Sequence, residues 1–310
     1  MNASVDYVFP EKYRILSGSA LKMIAVITML IDHIGAVLLS MYQPAQKILF
    51  TLFGREYNVY LIFRDIGRAA FPIFCFLLLE GFRHTRSRFR YGRNLLFFAL
   101  LSEIPWNLMF TNTLRYERQN VFFTLFLGYL AFCAIEYFLT RPSMQLLCIL
   151  GLLVVSIFLK ADYGWRGYIF LLIMYYMRND KPGQAILGSC WLYYEWRAAF
   201  AFLSINLYNG KRGFIRGKSA KYFFYWFYPV HIIGLVILRQ LLFLSESRPL
   251  PVGSAFHNQY HYIHHPIKKG CTLSKVQPKC MSGKICFLFF LYDLFCIFIN
   301  GICRNTSTYR

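Results

Sequence analysis

The residues that decide the fold run from position 21 to position 42 and read LKMIAVITMLIDHIGAVLLSMY. This stretch is apolar over about 20 residues, the length that an α-helix needs to cross the hydrocarbon core of a bilayer. Asp32 and His33 nevertheless stand side by side near its middle. An ionisable group at mid-bilayer costs about 3 kcal/mol on insertion scales, so two adjacent ones indicate a functional site that faces the bundle interior. The alternative is a hydrogen-bonded pair that only fixes helix packing.

The composition of the whole chain indicates a polytopic helical membrane protein. Of its 310 residues, 57% are hydrophobic and 15% are charged, against roughly 25% charged in soluble domains. The formal net charge of +20 is explained by basic loops that face anionic lipid headgroups. Because no basic recognition helix or base-stacking motif stands out, we expect membrane lipid and no nucleic acid among the partners.

Further apolar runs predict an all-α transmembrane bundle of about 8–10 spans, some of them short or half-spanning. The chain divides into a polar lead-in (1–20), a transmembrane domain (21–244) and a divergent tail (245–310). We expect the spans near residues 21–42, 59–82, 91–110, 120–139, 145–159, 164–177, 184–208 and 221–244, with a last apolar segment at 285–302.

The basic loops predict the orientation in the membrane. The run RHTRSRFRYGR (83–93) is the densest in basic residues, and the positive-inside rule places it in the cytoplasm. The N-terminus is then cytoplasmic, in a plasma (inner) membrane. The loop NGKRGFIRGKSAK (209–221) is also basic, and it lies inside only if residues 184–208 form two half-spanning helices that turn near Glu195.

Several spans carry ionisable groups at similar predicted depths, among them His33, Arg68, Glu103 and His231. A histidine near neutral pKa can act as general base toward an amine or hydroxyl that attacks an acyl group. A carboxylate on its second ring nitrogen would orient it. Side chains at neighbouring helix positions diverge, so the orienting role cannot simply be assigned to Asp32, and Glu103 from another helix could serve instead. The candidate catalytic residues are therefore His33, Asp32 and Glu103.

Arg64 and Arg68 are four residues apart, on one face of a predicted helix. Two guanidinium groups can clamp a phosphate or carboxylate, which would make them a binding site for an anionic cofactor. The alternative is internal neutralisation of Asp32, Asp65 or Glu103. Both interpretations are compatible with the sequence.

Metal binding and two hydrolase classes find little support in the sequence. No G-x-S-x-G elbow and no H-E-x-x-H pair is present. The tail contains histidines and cysteines without the C-x-x-C pairs of a zinc site, and we therefore expect no metal. These residues are His257, His261, His264, His265, Cys271, Cys280 and Cys286.

Six motifs occur in a fixed order along the chain. They are LKMIAVITMLIDHIGAVL (21–38), IGRAAFPIFCFLLLEGFRHTRS (66–87), LLSEIPWNL (100–108), ADYGWRG (161–167), LYNGKRG (207–213) and YWFYPVH (225–231). Together they resemble the TraX family of membrane proteins, and the resemblance covers roughly residues 15–240. The tail after Ser245 departs from the family pattern.

The resemblance implies an activity. The TraX family is named after the factor that N-acetylates F-type conjugative pilin, and it is similar to a wider group of multi-span membrane acyltransferases. It implies acetyl-CoA as acyl donor from the cytoplasm and a catalytic histidine in a membrane helix, which here falls on His33 of the IDHIG motif. The acceptor would be an amine or hydroxyl of a pilin-like protein N-terminus or a surface glycan.

A second function class stays open at this point. Buried charge also marks substrate pathways in transporters. A non-enzymatic membrane transporter or scaffold is therefore the alternative to the acyltransferase, and dependence on acetyl-CoA discriminates between them.

Overall fold

The computed structural model describes residues 6–52, 54–114, 118–215 and 217–243, and helices dominate this part of the chain. It also contains a small antiparallel hairpin of β1 (Phe50–Leu52) and β2 (Arg55–Tyr57). Short 3₁₀ or π segments lie at Glu11–Tyr13, Gly35–Leu39, Gln43–Gln46 and Tyr193–Phe200. The α-helices are α1 (Gly18–Ile34), α2 (Val59–Gly67), α3 (Ala70–His84), α4 (Arg88–Leu101), α5 (Glu103–Thr111), α6 (Val121–Tyr137), α7 (Pro142–Leu159), α8 (Gly164–Tyr176), α9 (Lys181–Trp191), α10 (Ala201–Asn206) and α11 (Lys218–Phe243).

The helix lengths confirm the predicted fold class. Three helical segments, Gly18–Leu39, Pro142–Leu159 and Tyr222–Phe243, are long and apolar enough to cross a membrane, and Val121–Tyr137 is a shorter apolar helix. The predicted last segment at 285–302, like the histidines and cysteines of the tail, lies outside the described residues.

Two predicted spans are each broken into a pair of helices. The span at 59–82 divides into α2 and α3 at Arg68, and the span at 91–110 divides into α4 and α5 at Ser102. A proline follows each break, Pro72 in α3 and Pro105 in α5. Proline has no N–H to donate to the carbonyl four residues earlier and its ring crowds that carbonyl, so a helix tends to end there.

The segment 181–206 enters the bundle and returns to the face where it began. It consists of α9, a 3₁₀ segment with a non-helical residue at Glu195 (φ −131°, ψ 52°), and α10. The chain before α1 contacts both ends of this segment. The Asp6 N–H donates to the Asn179 carbonyl (2.8 Å), and the Leu16 N–H donates to the Leu207 carbonyl (2.9 Å). The structure therefore has the predicted pair of short helices with a turn near Glu195.

These contacts define two faces of the bundle. We call the face that bears residues 6–19, 179–181 and 207–212 the N-terminal face. The end of α3 also lies there, since the Tyr208 hydroxyl contacts the Glu80 carboxylate at 3.4 Å. The opposite face carries the β-hairpin and the α7–α8 loop, whose Lys160 carbonyl accepts a hydrogen bond from the Gln119 N–H (3.2 Å).

Helix α6 lies at the centre of the bundle. Every residue from Phe122 to Ile135 is buried, as expected for a helix that is apolar on all sides. Its Gly128 receives Leu171 of α8 so closely that a side chain at position 128 would overlap it. The core therefore fixes the helices that frame the polar site described below.

The orientation of the two faces is open to a direct test. After replacement of the native cysteines, single cysteines are introduced at the exposed positions Arg86 and Phe214. We expect neither to react with an impermeant maleimide added to intact cells, because both lie on the basic face predicted to be cytoplasmic. Labelling of R86C would overturn the predicted orientation, and labelling of F214C alone would contradict a returning segment at 181–206.

Candidate functional site

The Asp32 carboxylate, in the last turn of α1, is neutralised by an arginine from α2. Asp32 Oδ2 lies 2.5 Å from Arg64 Nη1, which also donates to the Asp32 carbonyl at 3.2 Å. The two helices can approach this closely because a side chain at Gly67 would overlap Asp32. Arg64 is only 3% exposed. The pair thus supports the internal-neutralisation interpretation of Arg64.

His33, next to Asp32 in α1, contacts a second histidine, His231 of α11. His33 Nδ1 lies 2.6 Å from His231 Nε2 of α11, and the two rings are nearly parallel, with an interplanar angle of 6°. His231 Nδ1 lies 2.6 Å from the carbonyl of Phe227, one helical turn earlier. Tyr228 packs its ring edge-on against His33 with the ring centroids 6.0 Å apart.

These two hydrogen bonds determine which nitrogens carry protons when both rings are neutral. The Phe227 carbonyl can only accept, so His231 Nδ1 must donate and His231 Nε2 must be an acceptor. His33 Nδ1 is then the donor between the rings, and the lone pair of His33 lies on Nε2. In this tautomer His33 Nε2 can accept a proton, as a general base must.

Glu103, the predicted carboxylate partner of His33, accepts hydrogen bonds from another residue. Glu103 Oε1 accepts from the Asn120 side-chain amide (2.5 Å) and from the Asn120 backbone N–H (3.0 Å). His33 Nδ1 is bonded to His231, so the second ring nitrogen already has an orienting partner. The orienting role of Glu103 stays a prediction, while His231 occupies the position that this role requires.

The turn of the 181–206 segment supplies two further ion pairs. Arg68 lies 3.3 Å from Glu195, and Arg197 lies 2.7 Å from Asp65. Glu195 is buried, and both Glu195 and Arg197 form ion pairs with residues at the α2–α3 junction. The reason is that the carboxylate of Asp65 and the guanidinium of Arg68 require partners inside the bundle.

The ion pairs of Arg64 and Arg68 are relevant to the anion-binding role that the sequence predicts for these two residues. Arg64 belongs to α2, whereas Arg68 follows the end of that helix, and each pairs with a carboxylate from a different element. The role of Arg64 and Arg68 in cofactor binding stays a prediction. In the part of the chain that the structure describes, no group of three or more histidine, cysteine, aspartate or glutamate side chains could hold a metal ion.

Asp162 is a site residue that the sequence analysis did not single out. It lies in the α7–α8 loop, close enough to Arg68, Glu195 and Asp32 for their charges to act on its carboxyl group. Burial raises the pKa of Asp162 to about 6, and the positive charge of Arg68 partly opposes this shift. The ADYGWRG motif, an acidic residue in a short turn between two apolar helices, was the available signal.

The polar site lies closer to the opposite face than to the N-terminal face. His33 is six residues before Leu39, where the first helical segment ends, and fifteen residues after Gly18, where it begins. At 1.5 Å per residue these separations are about 9 Å and about 22 Å along the axis. The histidine pair thus lies nearer to the face with the β-hairpin and the α7–α8 loop than to the N-terminal face.

Fold and site together define a helical membrane protein with a buried histidine pair surrounded by ion-paired charges. The profile of the family described as TraX protein matches residues 17–239, and the chain belongs to this family. The chain is also 29% identical over 255 residues to a protein of Dichelobacter nodosus described as "Probable fimbrial assembly protein FimC, serogroup H1". That alignment covers 73% of this chain and 97% of the relative. No solved structure matches the chain significantly.

The close approach of α1 and α2 predicts a stability effect. We expect Gly67→Ala to lower the free energy of unfolding by about 1–3 kcal/mol, because the new methyl group displaces Asp32 from Arg64. Gly151→Ala in α7 is the matched control, since nothing lies within 4 Å of the added carbon. Thermal unfolding in detergent measures both variants, and equal melting temperatures would contradict the close packing.

The pair between Arg68 and Glu195 predicts a coupled effect. Removing one partner leaves a buried charge without its counter-ion, so Arg68→Met or Glu195→Leu alone should cost about 3–5 kcal/mol. The double variant removes both charges and should recover a large part of this loss. Chemical unfolding of the four proteins in one detergent gives the coupling energy. Strictly additive losses would show that the two side chains do not interact.

Proposed function

We propose that this protein is an integral-membrane acyltransferase that moves an acetyl group from acetyl-CoA to an amine or hydroxyl, with His33 as general base. The observation that carries the proposal is the hydrogen-bonded series from His33 through His231 to the Phe227 carbonyl. It leaves the lone pair of neutral His33 on Nε2, which is the state that general base catalysis requires. Membership of the TraX family supports the same activity.

The proposed step balances with the residues of this site. His33 Nε2 takes a proton from the acceptor while the acceptor's nitrogen or oxygen forms a bond to the thioester carbonyl carbon. The carbon–sulfur bond then breaks, and protonated His33 returns its proton to the departing thiolate. His231 holds the His33 ring in place and accepts from Nδ1 throughout. Asp32, paired with Arg64, holds α1 against α2 and so helps to position the neighbouring His33.

The proposed class of acyl acceptor is based on a similar protein. The similar protein from Dichelobacter nodosus is described as a fimbrial assembly protein. We therefore infer a pilin-like or fimbrial protein N-terminus as acceptor, ahead of a surface glycan. The apolar helices support a membrane location with lipid around them, and we infer that this membrane is the plasma (inner) membrane.

Donor and acceptor would approach from different sides. With the N-terminus in the cytoplasm, the basic N-terminal face meets cytoplasmic acetyl-CoA, and the exposed Arg86 and Arg90 on that face suit its phosphate groups. When bound, acetyl-CoA supplies the activated acyl carbon. The acceptor would arrive from the opposite face, since His33 is nearer to that face.

The second candidate is a transporter or scaffold without enzymatic activity. The observation that favours it is the mutual pairing of Arg64 with Asp32 and of Arg68 with Glu195, which is also what a structural charge network shows. Substrate flux in proteoliposomes without any need for acetyl-CoA would support this candidate.

A transfer assay tests the proposed base. The purified protein in nanodiscs receives radiolabelled acetyl-CoA and a peptide with a free N-terminus copied from a pilin subunit of the same cell. We expect His33→Ala to lower kcat by about 10²- to 10⁴-fold, the usual range for loss of a general base. His231→Ala should lower it less, because the ring loses its orienting partner but keeps Nε2.

The matched control is His84→Ala, since the His84 side chain is 73% exposed at the end of α3. This variant should transfer acetyl groups at the parent rate. If His33→Ala does the same, His33 is not the base. If the parent itself shows no acetyl-CoA-dependent transfer to the peptide or to extracted surface glycans, the acyltransferase proposal fails.

A further inference from the structure

The first turn of α1 is hydrogen-bonded to a basic loop on the N-terminal face. The Gly18 N–H donates to the Lys211 carbonyl at 2.8 Å, and the Ser19 N–H donates to the Arg212 carbonyl at 2.9 Å. The Ser19 hydroxyl donates to the same Arg212 carbonyl at 2.8 Å and accepts from the Ile215 N–H at 2.8 Å. The side chains of Lys211 and Arg212 are exposed. The loop therefore brings two positive charges next to the beginning of α1.

Lys22 lies one turn further along α1. It follows Ser19 by three positions, so the two side chains share one face of the helix. The Lys22 Nζ atom lies over the Phe224 ring of α11, 5.9 Å from the ring centroid, which is within the range of a cation–π contact. Because the Lys22 side chain is half-buried, it retains surface for a ligand at the point where α1 meets α11.

The interface that begins at Lys22 ends at the histidine pair. Lys22 and His33 are eleven positions apart, which is close to three full turns, so they lie on nearly the same face of α1. Both residues contact α11, Lys22 through the Phe224 ring and His33 through His231. At 1.5 Å per residue, about 17 Å along the helix axis separate the two positions.

Helix α11 contributes a row of rings to this interface. Phe224, Phe227 and His231 are spaced by three and then four positions, so they lie on one face of the helix. Phe227 stacks on His231 with the ring centroids 4.6 Å apart. All three side chains are half-buried, so they retain surface that an apolar ligand chain can cover.

From this arrangement we propose that Lys22 binds a phosphate group of acetyl-CoA, and that the aromatic row of α11 contacts the pantetheine arm between that phosphate and the thioester. The inference rests on the proposed acyltransferase function. The Lys22 ammonium is a compact charge that donates hydrogen bonds to phosphate oxygens. The exposed Lys211 and Arg212 add positive charge to the same end of α1.

The length of the pantetheine arm fits the spacing of the two proposed contacts. The arm joins the diphosphate to the sulfur through about twelve bonds, as many as in four amino-acid residues, so it extends to roughly 14 Å. This length is comparable with the axial separation of Lys22 and His33. A phosphate bound at Lys22 therefore allows the acyl carbon to reach the level of the proposed base.

Binding of CoA to the full-length protein in nanodiscs tests the inference without any transfer. Lys22→Gln removes the charge, so we expect Kd for CoA to rise by about ten- to hundredfold in titration calorimetry, the equivalent of one charge-assisted hydrogen bond. Lys22→Arg keeps the charge and should recover part of the affinity. In the transfer assay, KM for acetyl-CoA should rise with Kd, while KM for the peptide stays within about twofold.

Pantetheine, which lacks all the phosphate groups of CoA, identifies the group that Lys22 contacts. The parent and Lys22→Gln should bind pantetheine equally, so the preference for CoA over pantetheine should fall in the variant. A lysine that contacts lipid headgroups instead would leave this preference at the parent level, and that result overturns the inference.

A matched control and a second variant complete the test. Lys47→Gln makes the same chemical change at an exposed lysine three residues before β1, on the opposite face, and should leave Kd for CoA at the parent level. Thermal unfolding shows whether each variant is folded, and Lys22→Met replaces Lys22→Gln if the latter does not fold. A parent that binds CoA together with a folded Lys22 variant of unchanged Kd overturns this inference alone. A parent that neither binds CoA nor transfers acetyl groups overturns the proposed function, and the inference falls with it.

Discussion

The rest of the site depends on the ion pair between Asp32 and Arg64. A lone carboxylate in the middle of a membrane helix is costly, and a lone guanidinium in the facing helix is equally so. Joined at 2.5 Å, they neutralise each other and hold α1 against α2. The absence of a side chain at Gly67 permits this approach, because any larger residue would occupy the space of Asp32.

A second constraint is that charges next to this pair must also find partners inside the bundle. The break between α2 and α3 places Arg68 beyond the helix that carries Arg64, where it meets Glu195 rather than Asp32. The turn of the 181–206 segment thus completes the charge balance of the α2–α3 junction, and the polar turn itself is tolerated because it is buried in protein. Its role is electrostatic as well as topological.

The histidine pair shows how two helices far apart in sequence select one protonation state. His33 and His231 are 198 positions apart, yet their ring nitrogens lie 2.6 Å from each other. The Phe227 carbonyl at the end of this series cannot donate, so it determines the tautomer of both neutral rings. The lone pair of neutral His33 is thereby left on Nε2, the nitrogen that does not contact His231.

The sequence by itself determined the helical membrane class, the place of His33 in the first span and the short paired helices around Glu195, because hydropathy and charge are local properties of the chain. It also placed His33, Arg68, Glu103 and His231 at similar depths. Only the tertiary structure decided which of them meet: His231 contacts His33, Glu103 contacts Asn120, and Asp162 joins the site from a loop. The physical reason is that contacts between helices depend on their rotation and crossing, which residue spacing within one helix does not specify.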